Sequence, residues 1–119
     1  MTSKMRASVM DWLVDVHLGF KLLPQTLFKT TAIVDKYLSV VLTPLKKLQL
    51  VGTAALFIAC KYEEIYPPAT RSFVELVHKQ YYLEDIIDME GKILKALDFD
   101  LTFPTAATHL ERLIDQYKL

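Results

Sequence analysis

At 119 residues the chain can form one compact domain with a modest core. A hydrophobic share of 52% excludes a disordered chain, and Lys+Arg and Asp+Glu at 14 each leave no net charge, unlike the basic excess of a generic nucleic-acid binder. A single cysteine excludes an internal disulfide and favours a reducing compartment, nucleus or cytosol.

The first segment, Ser3 to Phe20, repeats apolar residues at intervals of three and four, at Met5, Val9, Trp12, Leu13, Val16 and Phe20. That spacing predicts one face of a helix, with Ser3 as its N-cap. Met1-Thr2-Ser3-Lys4 leads straight into this pattern, so no secretory signal is expected. Leu23-Pro24 interrupts the period, and Pro24 suits the first position of a second helix. This helix runs to about Val41, with Leu27, Val34, Tyr37, Leu38 and Val41 expected inward and Lys29 and Lys36 outward.

Thr43-Pro44 reads as the start of a third helix, Thr as N-cap and Pro in the first turn. From Leu48 to Cys60 this helix carries no charge, and small residues (Gly52, Ala54, Ala55, Ala59, Cys60) are spread around it. A helix apolar on all sides belongs at the centre of a bundle. It is too short to cross a bilayer, which takes ~18 or more apolar residues. It ends in charge at Lys61, Glu63 and Glu64, and Pro67-Pro68 closes it.

A fourth helix, about Thr70 to Lys79, rests on Phe73, Leu76 and Val77. The Gln80-Tyr81-Tyr82 connection offers no Ser, Thr, Asp or Asn as a cap. A fifth, Leu83 to about Leu97, aligns Ile86, Glu90, Ile93, Leu94 and Leu97. Gly91 inside it costs about 1 kcal/mol relative to alanine, which points to close backbone approach. Beyond Pro104 a sixth pattern covers Thr105 to Tyr117. No strand pattern competes, so the expected class is all-α.

No constellation of catalytic groups stands out. His17, His78 and His109 are far apart in sequence and no HExxH-type pair occurs, so no metal site is expected. Cys60 fits a small core residue near a helix end. Glu63 and Glu64 are adjacent, and their side chains diverge on a helix instead of facing each other as an acid–base pair. Three glycines leave no phosphate-cradling loop, and no cofactor is expected.

Three blocks carry a resemblance: MRASVMDWLVDV at Met5–Val16, LQLVGTAALFIACKYEEIYPP at Leu48–Pro68 and MEGKILKALDFDL at Met89–Leu101. In order and spacing they resemble the N-terminal cyclin box, from about Lys4 to Pro104. KYEEIYPP and KLLPQTL (Lys21–Leu27) look most like mitotic, B-type cyclins. The resemblance implies a five-helix box around a central buried helix (residues 1–103). A trailing helix (104–119) would match the start of a second cyclin fold. It also implies a non-catalytic subunit that binds and activates a cyclin-dependent protein kinase in G2/M control, without nucleic-acid or membrane partners, in the nucleus or cytoplasm.

The family pattern assigns roles to particular residues. Lys61 and Glu90 match the pair that flanks the kinase αC helix and hydrogen-bonds main-chain groups at its ends. Ile58, Tyr62, Glu63, Leu94, Phe99 and Leu101 match the surface around that pair. Met5, Val9, Trp12, Asp15, Leu48 and Gln49 match a docking patch for substrates or inhibitors with Arg-x-Leu motifs. Ser8 stands there where the family usually has isoleucine, and Leu45 where arginine is common. Arg6 and Asp35 match a buried ion pair between the first two helices, where an unpaired charge would be costly. Arg6, Arg71 and Arg112 are not followed by Leu at the spacing of an Arg-x-x-Leu destruction signal. Two alternatives are a truncated cyclin that binds a kinase without activating it, and a cyclin-fold transcription or scaffold module.

Overall fold

The computed structural model describes residues 3–77 and 81–101, without the side chains of 3, 5, 6 and 45. Among the described residues there are five α-helices and no strand: α1 (Ser3–Phe20), α2 (Pro24–Val40), α3 (Leu48–Glu63), α4 (Thr70–Leu76) and α5 (Leu83–Ala96). The expected sixth helix lies outside the described residues.

The uncharged helix α3 occupies the centre and packs against each of the other four. Of its residues from Leu48 to Cys60, all but Gln49 and Phe57 are buried. Its one buried hydroxyl, on Thr53, donates to the Gln49 carbonyl at 2.8 Å, so no polar group disturbs the apolar body. Small residues admit the neighbours. A Cβ added to Gly52 would stand 3.3 Å from Trp12 Cζ3, with Leu13 and Val9 close behind, so α1 rests on this glycine. At the other end Phe73 of α4 meets Phe57 and Phe20 edge-to-face, with centroids 5.1 and 5.9 Å away, joining α1, α3 and α4.

Three expectations are corrected. Lys29 is not outward but buried, on one face of α2 with Thr26, Thr30, Ile33, Val34 and Tyr37. The N-terminal half of that face is polar, so a count of apolar residues missed it; Leu27, Leu38 and Val41 are only half-buried. Thr43-Pro44 does not open α3 directly. A single 3-10 turn, Leu45–Lys47, intervenes, with Lys47 N–H donating to the Pro44 carbonyl at 2.9 Å and Thr43 Oγ1 to the Val41 carbonyl.

As the sequence indicates, no Ser, Thr, Asp or Asn stands at the N-cap of α5, which is Tyr82; the Asp85 carboxylate in the first turn accepts the Tyr82 N–H at 2.8 Å. Among the described residues nothing lies within 4 Å of where a Gly91 Cβ would be, so close approach by them does not explain this glycine.

The turns are tight. Lys21, at φ 55°, ends α1, and Pro24 opens α2 as expected. After α5, Asp98 and Phe99 take φ of 54° and 58°, a left-handed pair without glycine. Such residues cost on the order of 1–3 kcal/mol each and persist only where surrounding contacts hold them.

The two helical glycines should respond in opposite directions. Gly91→Ala, in open space, should raise stability by about 1 kcal/mol. Gly52→Val should lower it by about 1–3 kcal/mol by pressing on Trp12 and Leu13. Thermal melts of both variants followed by far-ultraviolet circular dichroism check this.

Candidate functional site

At the end of α3 the buried helix becomes charged, and the four residues from Lys61 to Glu64 reach to two neighbouring elements, α5 and α2. Lys61 forms an ion pair with Glu90 of α5 and sits 4.3 Å from the centroid of the Phe57 ring. Tyr62 is 63% exposed, with its ring facing the Lys29 ammonium 5.0 Å away. Glu63 is 3.4 Å from Lys29 Nζ. Glu64 turns to the start of α2, where its carboxylate accepts the Leu23 N–H at 2.8 Å and the Thr26 hydroxyl.

Electrostatics explains this fan. Carbonyl groups leave partial negative charge at a helix C-terminus, which favours Lys61 and disfavours Glu63 and Glu64. Glu63 is compensated by a buried ammonium, and Glu64 by the positive N-terminus of α2, where it accepts the orphan Leu23 N–H. Neither glutamate faces the other, as adjacency on a helix predicts.

Lys61 and Glu90, distant in sequence, thus meet at the edge of the α3–α5 face. Lys61 is half-exposed and uses one of its three donors on Glu90. Tyr62 and Phe99, at 63% and 65% exposure, present aromatic surface, and Leu94 is half-buried. Ile58 and Leu101 are corrected: at 2% and 3% exposure they are core residues beneath this surface and not part of it. Ile65 and Tyr66 are also exposed, immediately past α3, and were not singled out from sequence. Lys29, Thr26 and Glu64 were missed as well; Thr26, Lys29 and Thr30 at helical spacing were the available signal.

On the opposite side, Ser8, Val9, Trp12 and Gln49 line a shallow depression of about 160 Å³. The Ser8 hydroxyl donates back to the Lys4 carbonyl at 3.1 Å, and Gln49 Nε2 donates to the Leu76 carbonyl at 3.4 Å. Asp15 is exposed one turn beyond Trp12, whereas Leu48 is buried at 4% and does not reach the surface expected of it. Met5 lies outside the described side chains. So does Arg6, and its expected partner Asp35 is half-buried on α2.

Among the described residues no three His, Cys, Asp or Glu side chains come together as metal ligands, and His17 Nε2 donates to the Leu23 carbonyl at 3.0 Å. No described helix is long and apolar enough to cross a membrane. Cys60 is fully buried, and burial, followed by the nearby Glu64 carboxylate, pushes its thiol up to about 12.

Among the described residues the chain is thus an all-helical box whose central helix ends in Lys61 opposite Glu90 of α5. The "Cyclin, N-terminal domain" family matches residues 1–102, and the chain belongs to the cyclin family. The G2/mitotic-specific cyclin cdc13 of Schizosaccharomyces pombe is 46% identical over 110 residues, covering 92% of this chain and 23% of that protein. The G2/mitotic-specific cyclin-B1 of Carassius auratus is 46% identical over 111 residues, covering 93% of this chain and 28% of that one. This chain therefore spans about a quarter of the length of these curated relatives. The X-ray structure of a viral cyclin from herpesvirus saimiri has the same fold. It matches with a TM-score of 0.87 at 24% identity over 100% of this chain and 52% of that one.

Two outcomes follow. Glu64→Ala should strip the cap from α2 and lower stability by about 1–2 kcal/mol, with a fall of roughly 3–8 °C in Tm. Cys60 should resist a thiol reagent at pH 8 until the chain unfolds. Because its folded value lies above the ordinary 9.0, its contribution to stability is whole below that pH and is lost as pH rises towards about 12. Reagent uptake with and without denaturant, and melts from pH 7 to 11 beside Cys60→Ala, check both statements.

Proposed function

We propose that this chain is the kinase-contacting part of a mitotic cyclin, a non-catalytic subunit that binds and activates a cyclin-dependent serine/threonine kinase in the nucleus or cytoplasm. The observation that carries this reading is the meeting of Lys61 and Glu90 at an edge flanked by exposed Tyr62 and Phe99. Lys61 has two donors left for carbonyl groups at one end of a partner helix. Glu90, paired with Lys61, adds a carboxylate acceptor at the same point, and the exposed rings of Tyr62 and Phe99 offer aromatic surface to an apolar face of the partner.

The energetics are those of a population shift. A kinase is active when its αC glutamate pairs with its strand lysine. A rigid surface that fits αC only in that position shifts the equilibrium by the difference in its affinity for the two states. The depression at Val9, Trp12 and Gln49, with Asp15 beside it, supports a second role in docking basic-apolar peptides. Its apolar lining and nearby carboxylate suit an Arg-x-Leu segment.

Charge reversals separate recognition from folding. Lys61→Glu and Glu90→Lys should each weaken binding to a mitotic cyclin-dependent kinase by roughly tenfold or more. The double reversal should restore the internal pair and the Tm of the chain, yet leave kinase binding weak because both charges face the wrong partners. Calorimetry and phosphorylation of a histone substrate provide the readouts. Wild-type binding in both single variants contradicts the reading, and binding without phosphorylation favours a chain that binds but does not activate.

A further inference from the structure

The proposed partner surface relies on two exposed rings, Tyr62 at the end of α3 and Phe99 in the turn after α5. Both elements are held by one residue of a third element. Lys29 of α2 is 7% exposed and is the only buried charged side chain among the described residues. Its ammonium donates to the Leu101 carbonyl at 2.9 Å, pairs with Glu63 at 3.4 Å and faces the Tyr62 ring at 5.0 Å.

We propose that Lys29 is a positioning residue of the partner surface, a buried ammonium that fixes the Asp98–Leu101 turn and the Tyr62 ring against the end of α3. The proposal rests on the kinase-binding reading of the preceding subsection. Asp98 and Phe99 have left-handed backbones, so the turn that presents Phe99 relaxes unless it is held. It is held twice at Leu101, by the buried side chain and by the carbonyl that accepts from Lys29. An apolar residue at position 29 could fill the space but could not supply that buried carbonyl with a donor. Nor could it draw Glu63 and Tyr62 to the same point. A surface formed before binding loses less freedom on association, so the effect of Lys29 should appear as affinity although it touches no partner.

The test uses the whole chain with Lys29→Met, which keeps length and burial but removes charge and donors, and Lys29→Arg, which keeps both. Amide exchange is followed at Phe99 and Asp100, whose N–H groups donate to the Leu94 and Leu97 carbonyls at 2.8 and 3.0 Å. Affinity for a mitotic cyclin-dependent kinase is measured at a temperature where all variants are folded. In Lys29→Met both amides should exchange about tenfold faster while those of α3 stay protected, and the kinase Kd should rise about tenfold. Lys29→Arg should recover most of both.

Unchanged exchange in Lys29→Met overturns the proposal. Faster exchange with unchanged Kd overturns its partner-binding half, leaving a residue that only stabilises the turn. If the wild-type chain binds no kinase, the preceding reading and that half fall together, while exchange still decides whether Lys29 holds the turn. Should Lys29→Met fail to fold, the double variant with Glu63→Gln, which leaves no carboxylate facing an apolar neighbour, carries the exchange readout, and its Kd is compared with that of Glu63→Gln alone.

Discussion

A helix without charge over most of its length can lie at the centre of a bundle only if its polar ends find partners at the rim. That constraint on α3 organises the protein. Its body from Leu48 to Cys60 is enclosed by the other four helices, so everything charged about it gathers in one turn, Lys61 to Glu64. Two carboxylates at the negative end of a helix would be unfavourable if left alone. Lys29 answers Glu63, the N-terminus of α2 answers Glu64, and Lys61 reaches across to Glu90. One turn thereby fastens α2, α5 and the chain after α5 to the core.

The same division separates stability from recognition. Ile58 and Leu101 were expected on the partner surface, but they lie beneath it and serve as its rigid backing. Tyr62 and Phe99 carry the exposed area. On the far side, Gly52 lets Trp12 settle against α3, and the step between Trp12 and Gln49 leaves the shallow depression. The two surfaces proposed for recognition lie at the two margins of one buried helix.

Much of this was legible in the residues. Apolar spacing located α1 and α5, Pro24 marked the start of α2, and the uncharged run from Leu48 located the centre. The Lys61–Glu90 edge was accessible through resemblance to the cyclin box, since nothing in local spacing links residues so far apart. Lys29 was misread because it lies between residues whose own burial is polar; a hydrophobic count cannot distinguish a solvated lysine from one with a carbonyl and a carboxylate waiting for it. Gly91 was misread for a related reason: a costly residue signals a requirement but not whether the requirement lies inside the chain. Thr43-Pro44 was a true start signal, but for a 3-10 turn ahead of α3.

By itself the sequence determined the class of fold, the number and order of the described helices and which of them is central. Those follow from periodicity, from proline and from the absence of charge, all of which act within a few residues. Only the tertiary structure decided which charges meet: Lys29 with Glu63 and the Leu101 carbonyl, Glu64 with the start of α2, and which apolar residues remain exposed. The reason is physical. A charge or a ring takes its role from what stands within a few ångströms, and in a helical bundle those neighbours come from other helices.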